Sequence, residues 1–355
     1  MSGTSQKKRF REYGFEPGRL PTGRLNKISD VSNVSVGHLT KVEGDAIRTG
    51  VTVIDPGTKN LFHDKLPAAI AVGNGFGKLV GVTQVNELGT LESPIALTNT
   101  LAVGPVMHGL VELVLGSTEN LDPGATINVV VGETNDGYLN DIHKIVLSTA
   151  DVAAAYEQRT RDFALGSVGA GTGTRAFSWK GGIGSASRIV SVAGAVYTVG
   201  ALLQANFGGA LTILGVPVGE RLGKTDFDEF LPLPGDGSCM IVLATDAPLS
   251  SRQLGRIARR AMLGLARTGS ILAHGSGDYA IAFSTHRAGV EGSGSGKRLA
   301  DGELNPFFLA AVEAVEESVY DALFTSQTVI GRDRHTLEQI PVDDVVKLLR
   351  EQIGR

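Results

Sequence analysis

The sequence GDGSCMIVLATDAP, residues 235–248, contains the most informative boundary in the chain, between a long polar connection and an apolar strand. Its apolar run, residues 239–244, predicts a strand that is buried on both faces, because the run contains no polar residue. The connection before it, residues 219–237, is charged, contains proline and shows no hydrophobic periodicity. Connections of this length are often functional. Ser238 therefore stands where a long surface connection enters a buried strand.

This position of Ser238 suits nucleophilic catalysis. If the Gly237–Ser238 bond were cut, the new α-amine of Ser238 would be the base nearest to its hydroxyl, which needs one to become nucleophilic. An α-amine has a pKa of roughly 7.7–8.0, well placed for proton transfer near neutrality. Ser238 could also attack the preceding carbonyl, which Gly237 leaves accessible. The pair alone is a weak signal, because Gly-Ser recurs seven more times and a turn entering a strand explains it more simply.

The remaining apolar patterns predict segregated strands and helices. Strands are predicted at residues 67–72, 125–131, 188–192, 195–206, 210–216, 239–244 and 278–284. Helices are predicted at residues 105–115 and 150–158, after the N-cap Ser250, from Asn305, and at residues 342–353. Because strand groups and helix groups are separated, the order favours an α+β layered sandwich over a doubly wound sheet.

Composition excludes several classes of protein. Among 355 residues, 33 Lys and Arg stand against 37 Asp and Glu, so the net charge of −4 argues against a nucleic-acid-binding footprint. Because Cys239 is the single cysteine, the sequence excludes an internal disulfide framework and metal sites built from several thiolates. We interpret Cys239 as a small apolar strand residue; the alternative is a thiol that competes with Ser238. The seven histidines lack ligand spacing, so we expect no metal and no cofactor.

The ends of the chain suggest location and organisation. No long apolar run predicts a membrane span, and the polar start lacks a secretory signal, so we expect a cytoplasmic protein without a membrane partner. Residues 1–28 are expected to form an N-terminal arm, solvated or clasping an oligomer, and residues 29–355 a single domain. The arm carries Lys7, Lys8, Arg9, Arg11, Arg19 and Arg24.

The glycine-rich loops do not match known phosphate or nucleophile motifs. Residues 73–78 lack the spacing of a Walker loop, and residues 171–176 fit only the looser dinucleotide fingerprint, without a helix or an acidic partner. Residues 275–277 are glycine-flanked around Ser276 but are not a Gly-x-Ser-x-Gly elbow. Tight backbone packing is the better interpretation of these loops.

Read together with the residues around it, the Gly-Ser pair resembles the processing site of the L-aminopeptidase/D-amidase-esterase family, which includes the β-peptidyl aminopeptidases. Gly-Ser, the apolar strand and residues 244–248 (ATDAP) carry the first resemblance. Further similar blocks are residues 36–40 (VGHLT), 48–51 (RTGV), 72–77 (VGNGFG), 97–101 (LTNTL), 132–138 (GETNDGY), 181–184 (GGIG), 204–208 (QANFG) and 275–278 (GSGD).

The resemblance implies a fold and an activity. It implies a four-layer αββα sandwich, like that of N-terminal-nucleophile hydrolases, that cleaves itself into a large chain, residues 1–237, and a small chain, residues 238–355. It implies removal of N-terminal residues from short peptides, amides or esters, and a tetramer of cleaved pairs. Two alternatives stay open: an acyltransferase related to ornithine acetyltransferases, which process before threonine, and an uncleaved, non-enzymatic relative.

The resemblance also implies roles for individual residues. Ser238 would be the nucleophile and its freed amine the base, while the side-chain amide of Asn206 would stabilise the oxyanion. Ser276 and Asp278 would hold the amine and hydroxyl of the nucleophile. Tyr138 and Glu133 would line the pocket; Tyr138 could donate to the oxyanion, and Glu133 could bind the ammonium group of the substrate. From the residues alone, Glu133 and Tyr138 are ordinary loop positions.

Overall fold

Two mixed β-sheets stacked face to face form the centre of the computed structural model, which describes residues 7–226, 237–290, 292–294 and 296–354. The strands are β1 (Ser35–Glu43), β2 (Ile47–Asp55), β3 (Leu66–Gly75), β4 (Leu79–Val80), β5 (Thr90–Leu91), β6 (Ile95–Asn99), β7 (Val130–Thr134), β8 (Arg175–Ala176), β9 (Trp179–Lys180), β10 (Gly182–Val192), β11 (Ala195–Asn206), β12 (Ser238–Thr245), β13 (Gly277–Ser284), β14 (Val329–Ile330) and β15 (Thr336–Leu337). The helices are α1 (Val82–Leu88), α2 (Val103–Ser117), α3 (Thr149–Glu157), α4 (Val218–Arg221), α5 (Ser251–Arg267), α6 (Asn305–Phe324) and α7 (Val342–Ile353).

The strand order places the ends of distant segments side by side. The first sheet has the order β1-β2-β6-β7-β4, and the second has the order β10-β11-β12-β13-β3-β5. In the second sheet β12 runs antiparallel to β11 and parallel to β13. The start of β12 therefore lies between the end of β11 and the start of β13, and the candidate site is built at this edge.

Side-chain alternation along the strands produces three apolar layers. Between the sheets, Ile54 and Leu97 of the first sheet share a buried cluster with Leu202, Val242 and Ile281 of the second. Helices α2 and α3 cover the outer face of the first sheet, and α5 and α6 cover the outer face of the second. This αββα sandwich confirms the expected fold class.

Helix α5 shows how local sequence specifies an outer layer. Ser250 caps the helix: its hydroxyl accepts a hydrogen bond from the Gln253 N–H at 3.3 Å, and Gln253 Oε1 accepts one from the Ser250 N–H at 2.9 Å. Leu254, Ile257 and Ala261 recur at helical spacing and are buried against the sheet. The predicted capping position is confirmed.

Two predicted strands are wrong in detail. Residues 125–129 precede β7, which begins only at Val130. Residues 210–216 form no regular strand, because Leu214 (φ 50°) and Gly215 (φ 83°) are left-handed and turn the chain between the bridged residues Ile213 and Val216. Strands β1, β2 and β6 were not predicted as strands from their apolar patterns.

The described part of the N-terminal arm, residues 7–28, packs on α6 instead of extending into solvent. Phe10 is fully buried, and its ring contacts those of Tyr320 (tilted, centroids 4.9 Å apart) and Phe324 (edge-to-face, centroids 5.0 Å apart). Arg9 Nε donates to Asp321 at 2.8 Å. These contacts contradict a solvated arm over these residues, whereas the domain boundary near residue 28 stays a prediction.

In the part of the chain that the structure describes, no helix is both long enough and apolar enough to span a bilayer.

Candidate active site

Ser238 begins β12 at the junction of three strands. It lies opposite Asn206 of β11 and beside Gly277 of β13. The Gly277 N–H donates to Ser238 Oγ at 3.1 Å, and the residue is only 5% exposed. Because Met240 and Val242 of the same strand pack between the sheets, alternation directs the Ser238 side chain toward that interior as well.

Gly237 packs directly on the end of β11. A Cβ at this position would overlap the carbonyl oxygen of Asn206 and the Cα of Phe207. Only glycine therefore fits here without displacing the backbone. The packing fixes the bond between Gly237 and Ser238 against the residue that carries the candidate amide donor.

Asn206 is oriented by a backbone hydrogen bond. The Arg175 N–H donates to Asn206 Oδ1 at 2.9 Å. Since a backbone N–H can only donate, this contact identifies the oxygen and turns Nδ2 the other way. No described residue accepts a hydrogen bond from that Nδ2, although Asn206 is 5% exposed. The side chain thus presents a fixed, unused N–H donor at the strand end that pairs with Ser238.

Ser276 and Asp278 flank Gly277 and lack partners. Within the described residues, neither carboxylate oxygen of Asp278 nor the Ser276 hydroxyl makes a hydrogen bond. Burial raises the pKa of Asp278 to about 7. The nearby Ser276 hydroxyl opposes this rise, although the two groups do not reach hydrogen-bond geometry. A buried carboxylate without a donor is costly, so this pair is suited to receiving a cationic or N–H group.

Asp278 and the Ser238 hydroxyl are directed to opposite faces of the sheet. Asp278 neighbours Cys239, and burial together with this carboxylate raises the pKa of the Cys239 thiol. Alternation places both side chains on the helix-facing side. The backbone nitrogen of Ser238, in contrast, lies in the plane of the sheet. Ser238 pairs with Gly277, so Asp278 lies one register position away from that nitrogen.

Glu133 brings a second buried carboxylate to the interior side of the site. Its Oε1 accepts from the Lys78 N–H at 2.8 Å, and its Oε2 accepts from the Thr100 hydroxyl. A Cβ at Gly77 would be 3.2 Å from Glu133 Oε1 and 3.4 Å from Gly277 Cα, so the carboxylate lies near β13. No described Lys, Arg or His forms an ion pair with Glu133.

Tyr138 is not brought into contact with the other predicted residues. The residue is 42% exposed, and its ring stacks on that of His335 with centroids 4.7 Å apart. No described contact joins it to Ser238 or Asn206. Its expected place in the pocket stays a prediction.

A buried ionisable pair, not predicted from the sequence, lies behind the Arg175 loop. Burial lowers the pKa of Lys180 to about 7, although Asp136 opposes this, and burial raises the pKa of Asp136 to about 7. Lys180 Nζ donates to the carbonyls of Gly171 and Gly181, each at 2.8 Å. These bonds fix the loop that leads to Arg175. Lys180 lies on a two-residue strand, so no periodic signal marked it.

Two sheets between helical layers, with a hydroxyl at the start of a central strand, define the class of N-terminal-nucleophile-like hydrolases. The model of peptidase family S58 matches residues 26–337, and the chain belongs to this family. It is therefore a hydrolase with the aminopeptidase activity of its relatives.

Known relatives are similar over nearly the whole chain. A β-peptidyl aminopeptidase from Sphingosinicella xenopeptidilytica is 38% identical, with 98% of this chain and 92% of the relative covered. A protein of known crystal structure from Pyrococcus horikoshii OT3 is 42% identical with a TM-score of 0.90, covering 98% of this chain and 100% of its own. The L-aminopeptidase D-Ala-esterase/amidase from Ochrobactrum anthropi, described as a variant of the Ntn hydrolase fold, is 35% identical with a TM-score of 0.88, covering 98% and 99%.

Proposed function

We propose that the protein is a self-processing serine aminopeptidase that acts on short peptides, amino-acid amides or esters. The observation that carries this proposal is the setting of Ser238, which lies between the unused amide donor of Asn206 and the unpartnered Ser276 and Asp278. A nucleophile, an oxyanion donor and a waiting acceptor for an amine thus converge on one strand end.

Processing would begin at the bond between Gly237 and Ser238. Ser238 Oγ attacks the Gly237 carbonyl carbon, the C–N bond breaks, and an ester forms as the proton passes to the nitrogen. Water then hydrolyses the ester, leaving the Gly237 carboxylate and the free amine of Ser238. Asp278 and Ser276 gain in this amine the hydrogen-bonding partner that they lack in the uncleaved chain.

Turnover uses the same groups on an external substrate. The amine takes the proton of Ser238 Oγ as it attacks the substrate carbonyl, and Asn206 Nδ2 donates to the oxyanion. The amine then protonates the leaving group, and water releases the acyl group. Glu133, which has no described cationic partner, binds the ammonium group of the substrate and so selects free N-termini.

Intact mass under denaturing conditions, with N-terminal sequencing, tests this proposal. We expect two chains, the smaller beginning at Ser238. The cleaved protein should hydrolyse p-nitroanilides of L-, D- or β-amino acids, or D-alanine amide, at measurable rates that differ from one substrate to another. The matched N-acetylated compounds should resist hydrolysis. A full-length, uncut chain with aminopeptidase activity would overturn the mechanism.

The proposal includes assembly of the cleaved pairs into a homo-oligomer, expected as a tetramer. Two apolar residues beside β13 are more than half exposed: Val72 (53%), which pairs with Tyr279, and Phe76 (65%), whose carbonyl oxygen lies next to Gly277. Such surfaces are commonly covered by another protein surface. Sedimentation velocity of the cleaved protein measures the assembly directly.

Glu133→Gln should weaken recognition of the free amine. The amide keeps the size of the side chain and one oxygen acceptor, but it removes the negative charge. We expect kcat/KM for amino-acid p-nitroanilides to fall about 10–100-fold, because a charge-assisted hydrogen bond is lost. Steady-state kinetics on cleaved enzyme measure the effect, and Glu112→Gln, on the exposed face of α2, is the matched control. Unchanged kcat/KM would remove Glu133 from the binding site.

The raised pKa of Asp278 predicts a pH-dependent stability of the uncleaved Ser238→Ala chain. Near pH 4 the carboxyl is protonated in the folded chain at little cost, whereas above about pH 7 the fold must bury its charge. Stability should therefore fall as the pH rises between these values. Adding Asp278→Asn should stabilise the chain at pH 8 by about 2–4 kcal/mol and much less at pH 4.

Urea unfolding of both chains at the two pH values measures this difference. Asp301→Asn, at an exposed carboxylate paired with Arg252, is the matched control and should not stabilise the chain at pH 8. An equal effect of Asp278→Asn at pH 4 and pH 8 would contradict the prediction.

A further inference from the structure

Asp226 is anchored more firmly than a residue in a surface connection needs to be. Its Oδ1 accepts from Arg175 Nη2 at 2.9 Å and from the Ser178 hydroxyl, and its Oδ2 accepts from the Gly209 N–H at 3.1 Å. The Asp226 N–H in turn donates to the Gly209 carbonyl at 3.1 Å. The carboxylate is nearly buried, and every described contact to it comes from a donor.

Arg175 joins this anchor to the oxyanion donor. Its backbone N–H holds Asn206 Oδ1 at 2.9 Å, while its guanidinium holds Asp226. Arg175 therefore contacts both the side-chain amide of Asn206, which lies opposite Ser238, and Asp226, which precedes the connection to the Gly237–Ser238 bond. The side chain can be changed without removing the backbone bond to Asn206.

Both described flanks of that segment rest on the same stretch, residues 206–209. Gly237 packs against the backbone of Asn206 and Phe207, and a Cβ at Gly208 would be 2.8 Å from Asp226 Oδ2. In sequence, residues 227–236 separate Asp226 from Gly237. Fixing both flanks on one strand end restricts the arrangements open to the Gly237–Ser238 bond, which favours a near-attack geometry.

From this arrangement we infer that Arg175 and Asp226 are a positioning pair for self-processing. The inference rests on the proposed function. Asp226, which directly precedes residues 227–236, is held against Gly209, three residues after the end of β11. The Arg175 guanidinium fixes Asp226 relative to Asn206. A small external substrate is not attached to this segment. The pair therefore accelerates the first cleavage and contributes little to later turnover.

Time courses of cell-free translation test the pair, with appearance of the chain that begins at Ser238 as the readout. Asp226→Asn puts an N–H group where an acceptor is needed, and Arg175→Met removes the guanidinium but keeps the backbone N–H. Each variant should cleave about 10–100-fold more slowly. The double variant should be no slower than the worse single one, because both remove the same contact. Lys224→Gln, which breaks a nearby ion pair with Glu338, should cleave at the wild-type rate.

Turnover of fully cleaved Asp226→Asn separates positioning from general damage. Its kcat and KM should stay within about threefold of wild type while its cleavage is slow. Arg175→Lys should recover part of the cleavage rate, since it restores the charge. Wild-type cleavage rates in both Asp226→Asn and Arg175→Met, or equal losses in cleavage and turnover, would overturn the inference. An uncleaved wild-type chain would instead overturn the proposed function.

Discussion

Ser238→Ala should give a single full-length chain without aminopeptidase activity. Alanine has no oxygen to attack the Gly237 carbonyl, so neither the ester nor the free amine forms. The fold should persist, because the described side-chain contact of Ser238 is the single bond from the Gly277 N–H. We expect activity to fall by about 10⁴-fold or more, as when other hydrolases lose a nucleophile. Intact mass and hydrolysis of amino-acid p-nitroanilides measure both effects.

Cys239→Ala is the control for the neighbouring thiol. Cys239 is fully buried, and burial raises the pKa of its thiol well above the ordinary value, so it is not a thiolate at neutral pH. The Cys239→Ala chain should be cleaved before Ser238 and remain active. Cleavage at the same bond in Ser238→Ala, or loss of cleavage in Cys239→Ala alone, would assign the chemistry to the thiol.

Helix α6 shows why part of the fold could not be predicted. Its apolar face was visible from helical spacing, but Glu313, Glu317 and Asp321 on the same helix are typical of a solvated surface. The structure buries them under the N-terminal segment and against β10, where Arg188 donates to Glu317 at 2.7 Å. Pairing between residues more than a hundred positions apart leaves no trace in local periodicity. These long-range ion pairs contradict a solvated arm over residues 7–28, whereas its alternative, an arm that clasps an oligomer, stays a prediction.

The candidate site was predictable to the extent that strand ends are local features. Apolar runs located the end of β11 at Asn206 and the start of β12 near Ser238, and the structure has both there. Their adjacency depends on sheet order, which the apolar pattern did not give; the resemblance to a family implied only that Asn206 and Ser238 act in one site. The Arg175 N–H that turns the Asn206 amide belongs to a two-residue strand, so no local pattern marks it.

Asn206→Ala should slow turnover about 10²–10³-fold, with KM changed by less than about threefold. The missing Nδ2 donor acts on the oxyanion, which exists only in the transition state and intermediate, so kcat carries the loss. Processing passes through the same kind of oxyanion and should slow as well. Turnover must therefore be expressed per cleaved molecule, with the cleaved fraction taken from intact mass. Near-normal kcat would remove Asn206 from the catalytic machinery.

Asn206→Asp decides whether the donor or the packing of Asn206 matters. Aspartate has nearly the same shape and still accepts the hydrogen bond from the Arg175 N–H, which alanine leaves unsatisfied. If Asn206 served only to hold the Arg175 loop, aspartate would restore activity. If Nδ2 stabilises the oxyanion, aspartate replaces a donor by a negative charge beside a developing negative charge. We then expect a loss of kcat at least as large as that of Asn206→Ala, about 10³-fold, together with a thermal stability closer to wild type.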